Sequence, residues 1–359
     1  MKKLVSAATL ATCLSTLTLT TSLASMSASA AEKDSFNVCW SIYVGWMPWG
    51  YGAEQEIVKK WADKYDISIN VTQINDYIES INQYTAGQYD GCVMTNMDAL
   101  TIPAAGGVDS TALIVGDFSN GNDGVVLKSD SSLADIKGQN VNLVELSVSH
   151  YLLARGLETV GLAEKDVTVV NTSDADMVAA YSTDDVTSVV TWNPLLSEIV
   201  GMPNSKKVFD SSQIPGEIID LMVVNTEVLK DNPKFAKALT GAWYEIMETM
   251  QAGNDMASQA KTSMAVASGT DLAGFEAQLA STKMFYNAAD AVSFTSSEAL
   301  KTTMKYVAEF SFDHGLLGEG AADAGFIGIE TPAGVYGDSN NIKFRFNPSY
   351  MQMAAEGKL

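Results

Sequence analysis

The stretch Ile81–Leu100, INQYTAGQYDGCVMTNMDAL, decides the fold. It begins inside a helix predicted over 77–86 and runs into the apolar segment 91–95, which predicts a buried strand. Working outward from it, the apolar spacing predicts strands over 36–44 and 67–74 and a helix over 53–64 between them. This β-α-β-α-β order predicts a parallel sheet with helices on both faces. In such sheets, ligands bind beyond the carboxyl ends of the strands.

A second α/β unit is predicted after the polar segment 116–124, which we interpret as a crossover between units. Its predicted strands and helices are 141–146, 150–160, 167–171, 175–181 and 188–191. The apolar segment 218–224 then returns to the first unit, and four helices follow over 233–250, 256–266, 272–280 and 297–312.

This order predicts an α/β clamshell with two lobes, each a mainly parallel sheet flanked by helices. Lobe 1 is expected at 31–121 and 228–359, and lobe 2 at 122–227. The ligand site is expected between the lobes. Closure about the crossings would bury a small solute there.

The N-terminus predicts an exported protein. Lys2 and Lys3 precede an apolar and hydroxyl-rich run that ends in small residues before Ala31, as in a secretory signal peptide over 1–30. The many Ser and Thr residues argue against a membrane anchor. We therefore expect a monomeric protein of 329 residues in the periplasm.

The charge of the chain excludes several kinds of partner. The formal net charge is −21, and removal of residues 1–30, which hold two lysines and no acid, makes it −23. A surface of this sign repels nucleic acid and anionic lipid and attracts small cations. The chain has two arginines, Arg155 and Arg345, so it has few of the forked groups that often bind oxyanions.

Cysteine and histidine usage gives no metal motif. Cys39 and Cys92 could form a disulfide after export or remain buried thiols, and the sequence leaves both possibilities open. His150 and His314 are far apart in the sequence and no Cys/His cluster exists, so we expect no metal and no cofactor.

Aromatic and polar residues follow the predicted strand ends and are the candidates for the ligand site. Trp46 and Trp49 flank Pro48 in a predicted loop after the first strand, although both could instead cap the core. The other candidates are Asp76, Asn96, Asp98, Glu145, Ser147, His150, Trp192, Asn193 and Asp220.

Several of these candidates also have ordinary structural explanations. Asp76 and Ser147 could be helix N-caps, Asp98 could stabilise the first turn of a helix, and Trp192 could fill the core. Glu145 and Asp220 interrupt apolar strands, where an acid must face solvent or a partner. Ring faces attract cations and carboxylates neutralise them, so this set favours a small organic cation.

Three stretches resemble the nitrate/sulfonate/taurine class of ABC-transporter substrate-binding proteins: residues 81–100, VELSVSHYLLARGLETVGL at 144–162 and VVTWNPLLSEI at 189–199. The branch associated with urea and urea carboxylase is the most similar. The resemblance implies the type II periplasmic-binding fold, an inner-membrane ABC permease as partner, and no enzymatic activity. It also implies ligand contacts from residues at matching turns: Trp49, Asn96, Asp98, Ser147, His150, Trp192 and Asn193.

Within this branch we expect guanidinium as the ligand, with urea as the alternative. Guanidinium is a planar cation with donors around its whole edge, whereas urea also needs a donor for its oxygen. Two rival functions are a secreted amide or amidine hydrolase, with His150 as base and Glu145 or Asp98 assisting, and a ligand-dependent partner of a membrane sensor. The absence of G-x-S-x-G and H-E-x-x-H motifs disfavours the hydrolase.

Overall fold

The computed structural model describes residues 33–128 and 132–359, so the predicted signal peptide lies outside the described residues. The strands of the described ranges, in chain order, are β1 (Ser35–Trp40), β2 (Ser68–Gln73), β3 (Gly91–Thr95), β4 (Ser110–Ser119), β5 (Asp123–Lys128), β6 (Asn140–Leu143), β7 (Thr168–Asn171), β8 (Ser188–Trp192), β9 (Ser205–Asp210), β10 (Ile219–Asn225), β11 (Thr282–Met284), β12 (Gly328–Thr331), β13 (Gly334–Tyr336) and β14 (Ile342–Phe346).

The helices alternate with these strands. They are α1 (Met47–Glu54), α2 (Ile57–Lys64), α3 (Tyr77–Thr85), α4 (Asn96–Ala99), α5 (Val148–Thr159), α6 (Asp174–Tyr181), α7 (Leu195–Val200), α8 (Thr226–Asp231), α9 (Pro233–Gln251), α10 (Asp255–Ala267), α11 (Leu272–Ala280), α12 (Ala288–Thr295), α13 (Glu298–Asp313) and α14 (Ser349–Ala355). A π-helical turn, Leu100–Ala104, extends α4.

Two sheets organise the fold. The larger has the order β13-β12-β14-β4-β10-β3-β1-β2, with β11 paired to β4, and the smaller has the order β7-β6-β8-β5-β9. The two-lobed α/β clamshell is therefore confirmed. Both sheets are mixed rather than mainly parallel, because the crossing strands β10 and β5 run antiparallel to both neighbours.

The lobe boundaries stay a prediction, but strand pairing locates the crossings. The first crossing is only residues 120–122, because β4 continues to Ser119, into the predicted crossover 116–124, and β5 begins at Asp123. The second crossing lies before β10. This strand pairs with β3 and β4 in the larger sheet, although the lobe boundaries that we predicted place its residues in lobe 2, 122–227.

The central strands form where the sequence is apolar without interruption. All five residues of β3 are buried, as expected for a strand covered on both faces. Helix α9 packs the larger sheet's outer face with Phe235, Leu239 and Trp243, all at helical spacing. These contacts fix the strand ends that form one side of the cleft.

The region after β1 differs from the prediction. We expected a loop over 45–52, but Met47–Glu54 is helix α1, with Pro48 in its first turn where a missing N–H costs nothing. The predicted helix over 53–64 is interrupted at Glu56, which has a left-handed φ of 56°. The aromatic residues therefore occupy a short rigid helix.

Cys39 and Cys92 form a disulfide, which the sequence had left open. The two residues are directly paired across the parallel strands β1 and β3. The bond joins the strands whose carboxyl ends lead into α1 and α4.

In the described ranges, no helix has both the length and the apolar character needed to cross a bilayer.

Candidate ligand cleft

A cavity of about 10 Å³, room for about one water molecule, lies between the two sheets. Both lobes line it: the first through Tyr43, Trp46, Tyr77, Thr95 and Asp220, and the second through Asp123, Val148 and Trp192, with Ile218 at the second crossing. The strand ends and helix starts that we predicted to face each other therefore meet here.

Four aromatic rings follow one another around the cavity. Tyr43 and Trp46 meet edge to face with ring centres 4.9 Å apart, and Trp46 lies 5.4 Å from Tyr77. Tyr77, from α3, contacts Trp192, at the end of β8, at 5.7 Å. The last contact joins one lobe to the other, so the cleft is closed.

Asp117 and Asp220 form a carboxyl pair on one wall. They are direct partners in the antiparallel strands β4 and β10, and their carboxyl groups are close enough to share a hydrogen bond. Tyr43 Oη donates to Asp117 Oδ1 at 3.1 Å. Burial and their mutual repulsion raise the pKa of Asp220 well above its usual value, and burial raises that of Asp117.

Gly45 allows this wall to form. A Cβ at this position would lie 2.4 Å from Asp117 Oδ2 and 2.6 Å from the Tyr43 ring. Only glycine therefore lets the backbone before α1 approach the carboxyl pair so closely.

Asp123 is the third carboxyl group and lies at the first crossing. Ser119 Oγ donates to its Oδ2 at 2.5 Å, and Ser119 also contacts Ser211 at 2.6 Å. Burial raises the pKa of Asp123 to about 7. This carboxylate belongs to the segment about which the lobes would move.

Asp98 is the fourth carboxyl group, behind the aromatic rings. Its Oδ2 accepts from Tyr77 Oη at 2.6 Å and from Thr95 Oγ1 at 2.8 Å. The backbone N–H of Val148, the first residue of α5, lies nearby and favours the charged form of Asp98. Burial raises the pKa of Asp98 to about 6 despite these donors. An acid of the first lobe thus occupies the N-terminus of a helix in the second.

Each of these four carboxyl groups is at most 3% exposed. Apart from the hydrogen bond that Asp117 and Asp220 can share, one oxygen each of Asp98, Asp117 and Asp220 has no hydrogen-bond partner among the described residues. Among the same residues, no lysine or arginine lines the cavity. Buried acceptors without partners are costly, so this arrangement favours a cation that carries several N–H donors.

Of the predicted site residues, Trp46, Trp192 and Asp220 line this cavity, and Asp98 lies behind it in contact with Tyr77. Three other candidates have structural contacts close by, and one lies in the core. Asn96 contacts the second crossing, donating to Glu217 O at 3.1 Å and accepting from Ile219 N at 3.0 Å. Asn193 accepts from Ser197 N, Ser147 caps α5, and Trp49 stacks on Trp243 in the core.

Asp76, Glu145 and His150 do not line the cavity. Asp76 is exposed and caps α3 by accepting from Glu79 N at 2.8 Å. Glu145 is exposed because β6 ends at Leu143, so this acid lies in the turn and not inside a strand as we predicted. His150 faces Glu164 and His314, which removes the geometric basis for a cleft base.

The sequence analysis missed Tyr43, Tyr77, Asp117 and Asp123. A signal was present for Asp117, which interrupts the apolar run 111–118 as Asp220 interrupts its own strand. We had assigned Asp117 and Asp123 to a polar crossover, where acids are unremarkable. Tyr77 carried no signal, because an aromatic residue at a helix start usually belongs to the core.

The fold is that of the periplasmic binding proteins. Among solved structures, the alkanesulfonate-binding protein of Xanthomonas axonopodis pv. citri, bound to MOPS, superposes with a TM-score of 0.64 at 17% identity, covering 81% of this chain and 96% of that one. The nitrate-binding protein of Synechocystis gives a TM-score of 0.66 at 13% identity, covering 91% and 89%.

The chain belongs to the NMT1-like family, whose profile matches residues 40–267. A relative with curated function, the taurine-binding periplasmic protein of Escherichia coli, is 23% identical over 147 residues. That match spans 40% of this chain and 45% of the relative.

Proposed function

We propose that this protein is the periplasmic solute receptor of an ABC importer, that it binds guanidinium in the cleft, and that it delivers the cation to an inner-membrane permease. The observation that carries the proposal is the set of four buried carboxyl groups at the cleft. Asp123 and Asp220 line the cavity beside aromatic rings, Asp98 and Asp117 lie directly behind its lining, and no basic side chain of the described residues lines it. The likeness to binding proteins named for taurine, alkanesulfonate and nitrate supports the receptor class.

Guanidinium matches the chemistry of the cleft. It is flat, so its faces can contact Trp46 and Trp192, and cation–π contacts in desolvated sites contribute about 2 kcal/mol. Its N–H groups can donate to the carboxyl group of Asp220, which lines the cavity, in charge-assisted hydrogen bonds. The lobes must part to admit the cation, because the closed cavity holds only about 10 Å³.

An anionic ligand fits poorly. The N-terminus of a helix is a favourable site for an anion, but in this protein the carboxyl group of Asp98 already lies beside the Val148 N–H at the start of α5. An oxyanion would also meet Asp123 and Asp220 at short range. A different ligand charge from that of the named relatives is therefore expected.

The acids of the cleft also favour an organic cation over a metal ion. In the part of the chain that the structure describes, three or more of these carboxyl groups do not converge within the spacing of metal ligands.

Urea is the second candidate, favoured by one observation. The indole N–H of Trp46 is buried without a partner, and it could donate to a carbonyl oxygen. Guanidinium offers no acceptor to this donor. A neutral ligand would, however, leave the buried acids without a counter-charge.

Calorimetry with guanidinium chloride, urea, taurine and nitrate tests the proposal at constant ionic strength. We expect stoichiometric binding of guanidinium at micromolar concentration, far below its denaturing range. Asp220→Asn should weaken guanidinium by at least about tenfold, since one charge-assisted hydrogen bond is worth about 1.5–3 kcal/mol, and should weaken urea less.

Asp76→Asn is the matched control, because Asp76 is an exposed acid on the same lobe and should leave affinity unchanged. Tight binding of taurine or nitrate without guanidinium binding would overturn the proposal. Equal losses for guanidinium and urea in Asp220→Asn would remove the charge argument. Conversion of either compound by the purified protein would instead indicate a hydrolase.

A further inference from the structure

A second cluster of chemically active side chains lies outside the cleft. His150, Glu164 and His314 present ligand atoms that all lie within 4.8 Å of one another. His150 Nε2 is 3.1 Å from Glu164 Oε1, and His314 Nε2 contacts Glu164 Oε2. The distance between His150 and His314 in the sequence had argued against a metal site, but the fold brings the two side chains together.

We propose that His150, Glu164 and His314 bind a divalent transition-metal ion of the zinc class and that this ion joins the two lobes. Two imidazoles and one carboxylate are a ligand set that zinc accepts, and the fourth position would take water. The site is empty in the structure.

His314 is already oriented as a ligand. Its Nδ1 contacts the backbone oxygen of Phe310 at 2.8 Å, where an N–H donates. Its ring stacks on Phe310 with centres 4.0 Å apart. A hydrogen bond of this kind fixes the tautomer that leaves the lone pair of Nε2 for a metal.

His150 must exchange one hydrogen bond. Its Nδ1 accepts from the Leu146 N–H at 3.1 Å, so its proton lies on Nε2, which is 3.1 Å from Glu164 Oε1. An ion at Nε2 replaces that proton, and the peptide at Leu146 then turns away from Nδ1. Leu146 is 40% exposed and has a left-handed φ of 62°, a strained state for leucine, so a change in this turn would relieve backbone strain.

The electrostatic surroundings also favour a cation. Asp313, Glu158 and Glu309 line the same groove as Glu164 and His314, and the basic group in it, Arg155, is paired with Glu217 and Glu158. A divalent ion would therefore enter a groove of net negative charge.

The cluster joins different parts of the fold. His150 begins α5 and Glu164 precedes β7, both on the smaller sheet, whereas His314 follows α13, which packs against β12, β13 and α4 of the larger lobe. An ion held by all three would stabilise the closed arrangement from a face other than the ligand cleft.

Titration of chelator-treated protein with Zn²⁺, and with Co²⁺ as an absorbing substitute, tests this inference. We expect one tight Zn²⁺ per chain, a higher melting temperature with Zn²⁺, and cobalt d–d absorption typical of a four-coordinate N/O site. His314→Gln and Glu164→Gln should each weaken Zn²⁺ by at least about 100-fold.

Asp313→Asn is the control, because this acid lines the same groove but does not belong to the ligand cluster. It should retain Zn²⁺ affinity within about fivefold and show the full cobalt spectrum, because an exposed charge that is not a ligand contributes little. Absence of stoichiometric binding, or equal binding by wild type and His314→Gln, would overturn the inference. The test does not measure guanidinium binding, so its outcome is independent of the proposed ligand.

Discussion

At the scale of single residues, the cleft is defined by four buried acids, although removing an ionised carboxyl group from water is energetically unfavourable. Asp98, Asp117, Asp123 and Asp220 are all buried, and burial is the first cause of each raised pKa. Hydroxyl donors such as Tyr77 and Ser119 offset only part of the desolvation. A binding site can retain such groups because a cationic ligand supplies the missing counter-charge.

Gly45→Ala should damage the site without removing any polar group. The added Cβ would meet Asp117 Oδ2 at 2.4 Å, and overpacking of this kind costs about 1–3 kcal/mol. We expect a lower melting temperature and at least about tenfold weaker guanidinium binding, measured by calorimetry. Gly320→Ala, at a position with open space around it, is the control. Unchanged binding in Gly45→Ala would contradict the close approach of the backbone to Asp117.

At the scale of elements, short helices at the strand ends position the site. Helix α1 carries Trp46 at its N-cap, and α4 carries Asp98 directly after β3. Asn96 anchors α4 to the second crossing through the backbone of Glu217 and Ile219. The carboxyl and aromatic groups are thus held by rigid elements and not by loops.

Asp76→Ala tests whether this residue acts only as a helix cap. Its carboxylate accepts from Glu79 N, and loss of such a cap costs about 1 kcal/mol. We expect that loss in the free energy of unfolding, measured by urea denaturation, with guanidinium affinity unchanged. Asp76→Asn keeps a capping oxygen and should be nearly neutral. A fall in guanidinium affinity in both variants would instead indicate that Asp76 contributes to ligand binding.

At the scale of the whole molecule, the two lobes meet closely around the cleft. Tyr77 contacts Trp192, and Tyr151 and Arg155 of the second lobe both bind Glu217 at the second crossing, at 2.6 and 2.9 Å. Closure brings acids from both lobes out of water. The stability of the closed protein should therefore depend on pH.

Stability without ligand should fall as pH rises from about 4 to about 7. Asp123 has a model-compound pKa of 3.8 and a pKa of about 7 in the folded protein, so in this window the folded state holds a proton that the unfolded state has lost. Melting temperatures across this range are expected to decline in wild type and to decline less in Asp123→Asn. Guanidinium should reduce the wild-type decline. Identical pH profiles for wild type and Asp123→Asn would contradict this account.

Guanidinium affinity should rise over the same window. Protonated carboxyl groups do not attract a cation, and Asp98 and Asp123 lose their protons at pH values of about 6 and about 7. Calorimetry at several pH values, in buffers of different ionisation enthalpy, should detect proton release on binding. Affinity that is constant or falls with pH would mean that the ligand is not cationic.

The sequence by itself determined the architecture and part of the site. Period and composition predicted β3 and α11 with their observed bounds, and most of the other predicted elements to within a few residues, because local apolar spacing distinguishes buried strands from amphipathic helices. Strands β5, β9 and β12–β14 were not predicted. The same logic singled out Asp220, an acid inside an apolar strand that cannot be explained by local structure.

Only the tertiary structure decided which polar residues meet. Asp117 is a candidate site residue because it pairs with Asp220 across β4 and β10. Glu145 is exposed because β6 ends at Leu143, two residues before it. His150 and His314 became neighbours through packing of α5 near α13. These outcomes depend on contacts between residues far apart in the chain, and local spacing carries no information about such contacts.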